Sequence, residues 1–514
     1  MKLLEADLSN LNKNFAKLKK DTALNIFADP DGNDQLFVVN KLKMIFSKSN
    51  LPVVGLSIQI DSLSPEKSSS SFDLGFIKNS WFGRLYANRL KNIPFFRRLI
   101  IAGFRVFYFI YIEAKSSYQY FTDHQKKTMP LVKLQDYVLQ RTLPTTKIFN
   151  MEIIHAPGLD IIPKDKHLSL YSLILTERGN DFPPVYVAEL ENSKAQGGTN
   201  LIFTEDSVVC HDLYNFKHDY TSEELHGRHI INLRKNRLAR LQQDQGIVEL
   251  AAAATFCDAC AHNYAHWLTE VLPRIAAFCT LEEHKQVPII VDEGLHPNIL
   301  QSLAYVVGSE RQVYALPVGS GLRVEKLFLT SVAGYIPFQV RKNRAIANSK
   351  FSSMALAKVR ETMLSCCVDI SANELPKKIY LHRTKGGRQV TNFGQIEPIL
   401  LENDFAIVDA NNLSFLQQVL LISNATHVVG PSGAACANII FSNPKAKIAI
   451  IMPKLSDQSP YIGIYSYWND IRYAATNEGV SYMLSDTSVK GDIHSDLLIN
   501  CDEFEMALKC MLSS

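Results

Sequence analysis

Three stretches of this chain hold residue types that can do chemistry. The first reads His262-Asn-Tyr-Ala-His-Trp-Leu-Thr-Glu-Val-Leu-Pro-Arg274. Wound as an α-helix, it sets His262, His266 and Glu270 within an arc of about 80° and turns Trp267, Leu268, Val271, Leu272 and Ile275 the opposite way. One face packs, and the other presents two imidazoles and a carboxylate. A histidine and a glutamate one turn apart are spaced as a general base and the group that orients it, and the HExxH pattern of a zinc peptidase is absent. Packed or hydrogen-bonded histidines would show the same spacing, so both readings stay open on the pattern alone. Pro273 lacks an N–H and is expected to kink or end the helix.

The second stretch, Tyr380-Leu-His-Arg-Thr-Lys-Gly-Gly-Arg388, clusters Arg383, Lys385 and Arg388 just after a predicted strand, where open α/β sheets place their ligands. Arginine suits a diphosphate because its planar fork makes paired, charge-assisted hydrogen bonds. A solvated basic loop is the plain alternative. The third, Thr426-His-Val-Val-Gly-Pro-Ser-Gly-Ala-Ala-Cys-Ala-Asn438, is a β-branched strand, a glycine turn and small residues that can open a helix. There the Ser432 hydroxyl and the amides of Gly433 and Ala434 can meet a phosphate, although many α/β folds need such a turn for its own sake.

These stretches need a frame to hold them. From about Lys326 onward short β-branched runs alternate with helical ones. Strands are predicted at Lys326 to Val332, Lys378 to His382, Phe405 to Asp409, His427 to Val429 and Lys447 to Met452. Helices are predicted at Ser352 to Ser365, Phe393 to Glu402, Ser414 to Ser423 and Ala434 to Phe441. The alternation predicts an α/β fold with a parallel, doubly wound sheet. Val287 to Asp292, Pro297 to Val307 and Gln312 to Leu316 repeat the rhythm upstream, so a second α/β unit is expected, with a cleft between the two. The organisation read from this is a mostly helical N-terminal extension over 1–130, an acceptor-side α/β domain over 131–325 and a ligand-binding α/β domain over 326–514.

Composition narrows the function classes. The chain has 514 residues, 46% hydrophobic and 20% charged, which excludes wholesale disorder and collagen. Its 54 Lys+Arg against 51 Asp+Glu leave a net charge of +3, too balanced for a dedicated nucleic-acid binder. Nine scattered cysteines and no apolar leader in the opening residues point to a reducing compartment. Cys257 and Cys260 form a CxxC without a well-spaced second pair, so ordinary thiols are expected rather than zinc. Near the start, Leu4, Leu8, Leu11, Phe15 and Leu18 make a short amphipathic seam. Asp29-Pro30-Asp31 reads as a turn, and 64–71 as a linker. Between Gly75 and Ile112 seven basic residues and no acidic one interleave with aromatics. The apolar run there is shorter than the roughly 20 residues a membrane span needs. A helix lying on a membrane surface and an oligomerisation helix are the two readings carried forward; nucleic-acid binding is not expected.

In this order the motifs resemble glycosyltransferase family 61. The resemblance is carried by Asn263-Tyr-Ala-His-Trp-Leu with Glu270-Val-Leu-Pro-Arg274, then Tyr380 to Arg388, Asp409 with Leu413-Ser-Phe-Leu-Gln-Gln, Val429-Gly-Pro-Ser-Gly-Ala through Asn438-Ile-Ile-Phe441, and Tyr467-Trp468. It spans roughly residues 180–485. It implies a GT-B type, metal-independent, inverting transferase that takes a nucleotide sugar, with no further cofactor and with a glycan acceptor. Ser432 stands where the family usually has histidine, and Ala435-Cys436 where it often has Gly-Leu. Glu270 or His266 is then the expected base, Glu270 being favoured, with His262 beside them. Arg383, Lys385, Arg388, Ser432, Gly433 and Ala434 are expected to hold the donor diphosphate. The expected setting is bacterial surface-polysaccharide assembly at the cytoplasmic face of the membrane, with a homo-oligomer as an open question. A decayed, non-catalytic sugar-nucleotide- or glycan-binding scaffold is the rival. A metal-dependent phosphatase would need an acidic cluster at strand ends that the sequence lacks.

Overall fold

The computed structural model describes residues 60–62, 128–154, 160–162, 180–214, 230–232, 237–239, 248–336, 349–367, 375–454, 464–487 and 494–513. The N-terminal seam, the Asp29-Pro30-Asp31 turn, the 64–71 linker and the basic aromatic stretch 75–112 lie outside these residues. The described chain is mixed α/β, built on two large sheets with two small two-stranded ones beside them.

The larger sheet has 12 strands. Its centre is β1 (Val185–Gln196), β2 (Val248–Thr255), β3 (Ile289–Asp292), β4 (Val313–Leu316) and β5 (Gly321–Thr330). Strand β2 pairs in parallel with both β3 and β5, β3 pairs in parallel with β4, and β1 runs antiparallel along β5. Strand β3 is buried along its whole length, as expected where both faces of a parallel sheet are covered. Short strands, mostly antiparallel, extend this sheet beyond β1, an addition the helical rhythm of the sequence did not announce. Ile60–Ser62, inside the stretch expected to be a mostly helical extension, is a strand parallel to β4.

The predicted strand from Lys326 is real but belongs to this larger sheet, as β5, rather than opening the smaller one. Periodicity identifies a strand; its partners are chosen by long-range burial, here of Leu322, Val324 and Leu327 against Leu190 and Ala253.

The smaller sheet contains β6 (Lys378–His382), β7 (Ala406–Asp409), β8 (His427–Pro431), β9 (Lys447–Pro453) and β10 (Ser481–Thr487). All are parallel, in the order β7-β6-β8-β9-β10. Numbered along the chain from β6 this is the order 2-1-3-4-5, whose connections reverse direction between β6 and β8. Helices α4 (Phe393–Glu402) and α7 (Cys501–Ser513) cover one face, with Ile396, Leu400, Phe504 and Leu508 packed on Tyr380, Val429 and Ile451. Helix α5 (Phe415–Asn424) and a 3₁₀ helix (Ala434–Phe441) pack together, and α5 opens with a capping box between Ser414 and Gln417.

Three further helices complete the frame: α1 (264–278), α2 (Pro297–Val307) and α3 (Ser353–Ser365). Helix α3 contacts α1, α2, α5 and α6 (Ile464–Thr476). Its N-terminus is held by buried Glu152, which accepts from the Ser352 hydroxyl at 2.5 Å and the Ser353 amide at 2.9 Å. A carboxylate at that end satisfies otherwise unpaired amides and complements the helix dipole. No helix among the described residues is long and apolar enough to cross a membrane.

Candidate active site

Helix α1 is a composite of Tyr264–His266, a π-helical turn at Trp267–Val271 and Leu272–Phe278. Asn263 caps it, its side chain accepting from the Ala265 amide at 3.0 Å. The expected packing face is fully realised: Trp267, Leu268, Val271, Leu272 and Ile275 are all buried. Pro273 does not end the helix. The wider π turn carries the chain past the proline, leaving the Thr269 carbonyl, four residues earlier, without a bond from position 273. Gly334 lies against that carbonyl, where an added Cβ would meet the Thr269 oxygen at 2.1 Å.

Of the expected polar arc, His266 and Glu270 come together and His262 does not. His262 precedes the cap, is exposed, and turns its Nε2 to the Glu293 carbonyl at 3.1 Å. The arc assumed a helix starting at 262, but Asn263 caps it one residue later. His266 Nδ1 is hydrogen-bonded to Glu270 Oε2. The other oxygen, Oε1, accepts from the Ile336 amide at 2.8 Å. Both side chains are only 13% exposed. Burial pushes the Glu270 carboxyl up from the usual carboxylate range, and the imidazole beside it and the Ile336 amide pull the other way. With Nδ1 turned to the carboxylate, the neutral ring carries its basic lone pair on Nε2.

Behind this pair lies a pocket of about 20 Å³, walled by Asn200, His211, Asp258, Arg274 and Tyr335 among others. Arg274 pairs with Asp258 at 3.1 Å and donates from Nε to the Glu270 carbonyl at 3.2 Å, so it locks the end of the π turn. Asp258 sits between Cys257 and Cys260, and the CxxC drew attention to the thiols instead of to it. Cys257 is buried and Cys260 partly buried, and neither is in a disulfide. Nothing in local spacing points to His211, which reaches the pocket from the far part of the larger sheet. Among the described residues no group of three His, Cys, Asp or Glu side chains is placed to hold a metal ion.

The second cluster forms at the switch point between β6 and β8. Arg383, in the loop after β6, lies against Gly433, where a Cβ would be 2.3 Å from its Nη1. Only glycine lets the guanidinium approach the turn this closely. Arg388, at a left-handed φ of 67°, extends Nη1 to the Ser432 hydroxyl at 3.4 Å. Burial and the neighbouring Arg383 both lower its proton affinity. Neither guanidinium has a carboxylate partner among the described residues. Ser432 is buried and also accepts from the Trp468 indole at 3.0 Å, so its oxygen braces Arg388 and Trp468. Ala434 begins the 3₁₀ helix and Gly433 caps it in extended backbone. Lys385 is exposed and has no polar partner among the described residues. Thr384 ties the loop to the end of β7 through Asp409 at 2.6 Å.

A chain of polar contacts joins the clusters. The Tyr264 hydroxyl donates to Asn438 at 2.7 Å, Asn438 donates to Gln418 at 2.7 Å, and Gln418 donates to the carbonyls of Ala410 and Leu413 at 3.0 and 3.2 Å. The Thr269 and Tyr467 hydroxyls lie 3.4 Å apart, next to Trp468 and hence Ser432. No curated protein matches the chain. The family model described as Glycosyltransferase 61 matches residues 264–449, from the first residue of α1 through both switch-point loops into β9. With the His266–Glu270 helix and the paired arginines inside that span, residues 264–449 carry a glycosyltransferase family 61 domain.

Proposed function

We propose that this glycosyltransferase is an inverting, metal-independent enzyme of GT-B type, with the donor diphosphate on the smaller sheet and the acceptor hydroxyl at α1. The observation that carries the proposal is the pair of buried-side guanidinia, Arg383 and Arg388, crowded at a switch point with no carboxylate to neutralise them. Such a site favours an anion, and a diphosphate leaving group develops negative charge as its bond to the sugar breaks. The Gly433 and Ala434 amides add donors at the start of the 3₁₀ helix. Lys385, exposed in the same loop, is assigned to the outer phosphate.

In this reading His266 is the base and Glu270 its orienting partner, with His262 left outside the chemistry. The acceptor oxygen attacks the anomeric carbon on the face opposite the diphosphate. The new C–O bond forms as the C–O bond to phosphate breaks, the electron pair leaves with the diphosphate, and the proton passes to His266 Nε2. Glu270 stabilises the imidazolium that results. The guanidinia take the part a divalent cation plays elsewhere, so chelator should leave turnover intact.

Arg383→Ala and Arg388→Ala test the donor site. Each removes charge-assisted bonds of about 1.5 to 3 kcal/mol, so nucleotide affinity should fall at least about tenfold with folding retained. Unchanged affinity in both would remove the assignment. The acceptor we propose is a lipid-linked surface glycan at the cytoplasmic membrane face, in bacterial capsule or related assembly, with the 75–112 segment on the lipid surface. At about 1 kcal/mol for each basic residue near an anionic bilayer, the chain should sediment with anionic vesicles, not neutral ones, and less so when Arg97, Arg98 and Arg105 become Glu. A chain that ignores anionic vesicles but loses dimerisation on deletion of 75–112 would identify an oligomerisation helix instead.

A further inference from the structure

We propose that His211 is a positioning residue for the His266–Glu270 pair, acting through one ordered water held in the pocket that the three residues share. The kinetic part of this proposal rests on the transferase reading above. His211 is only part-exposed, and both its ring nitrogens are buried with no hydrogen-bond partner among the described residues. The ring is fixed by packing: its centroid lies 4.4 Å from that of Tyr335 and 5.7 Å from that of Tyr214, edge-on to the latter. A buried imidazole that bonds to nothing is costly, and such groups are satisfied by protein or by ordered water.

The pocket in front of the ring supplies the room and the partners. Its volume of about 20 Å³ is enough for one water, which needs ≳ 10–15 Å³ and two to four polar contacts. Its walls provide them in Asp258, His266, Glu270 and Arg274. The neighbouring Arg274 and Lys133 charges act with burial to keep His211 neutral, so the ring offers one donor and one acceptor. A water bonded to His211 and to this group fixes the rear of the carboxylate whose front orients His266. The same pocket is roofed by the strap Gly334–Tyr335 and Ile336, whose amide already holds Glu270.

His211→Phe keeps an aromatic ring against Tyr335 and removes both nitrogens. The variant should fold, since the ring packing against Tyr335 and Tyr214 is kept. Its kcat should fall at least tenfold while the donor and acceptor KM values stay within twofold, and His211→Gln, which restores a donor and an acceptor, should recover much of the loss. A purely structural histidine would leave kcat and the Gln rescue flat, and that result overturns the proposal. A crystal structure of the parent at high resolution should show a water within hydrogen-bond distance of a His211 nitrogen and of a second pocket group. A dry pocket overturns the proposal whatever the kinetics. Should the parent transfer no sugar at all, the transferase reading fails, and the presence or absence of the water still decides this one.

Discussion

Both oxygens of Glu270 are taken, Oε2 by His266 and Oε1 by the Ile336 amide, and a carboxylate held at both ends is placed to orient the imidazole. The sequence reading favoured Glu270 over His266 as base and could not reveal the Ile336 amide, which comes from a strap 66 residues away. The same limit hid His211, Asp258 and Asn200, whose roles exist only once the larger sheet brings them to α1. The paired arginines were legible, because charge and position after a strand are local properties; the exposure of Lys385 was not. His211 gives the residue scale its prediction. Its pKa is pushed down to about 3 from about 6.5 by burial and then by Arg274 and Lys133, so the folded chain leaves it neutral where the unfolded chain binds a proton. Over that window stability is intact above about pH 6.5 and erodes as pH falls, by about 1.4 kcal/mol per unit for this one group. Calorimetry near pH 5 should find one fewer proton taken up on unfolding for His211→Phe than for the parent; equal uptake would mean that His211 is already charged in the fold.

Element types and ends were largely readable, and for a stated reason. Parallel strands buried on both faces read as continuous apolar runs, and capped helices announce their starts, as Ser414 with Gln417 does for α5. What periodicity could not say was which sheet a strand joins, so β5 was assigned to the wrong neighbours. Nor could it foresee a π turn, which needs Pro273 and the packing of Trp267 and Leu272 to be considered together. Gly334 is the sharpest test at this scale. In Gly334→Ala the new Cβ would meet backbone at Thr269, a contact that neither side can swing away from, so the strap must shift and the Ile336 amide must leave Glu270. We expect a loss of about 1–3 kcal/mol in stability and a fall in kcat with nucleotide affinity unchanged. Gly433→Ala is the control: its Cβ meets only the tip of Arg383, so stability should hold and nucleotide affinity should drop. Reversal of the two patterns would contradict the assignment of elements to the two substrates.

Across the whole molecule, the His266–Glu270 helix and the paired arginines are linked by the Tyr264–Asn438 and Thr269–Tyr467 contacts. The family motifs outside the two clusters, Asn438, Gln418 and Tyr467-Trp468, are explained by that bracing and need no contact with substrate. Ser432, the departure from the family pattern, keeps a cation at the turn by holding Arg388. Release of nucleoside diphosphate from a panel of nucleotide sugars tests this account most directly. The parent should release it slowly without acceptor. Arg383→Ala should do so much less because the donor is not held, and His266→Ala should bind donor normally yet transfer to acceptor at least 10²-fold more slowly. A parent that binds nucleotide sugar but never releases nucleoside diphosphate, with or without acceptor, would contradict the account and identify a binding subunit instead of an enzyme.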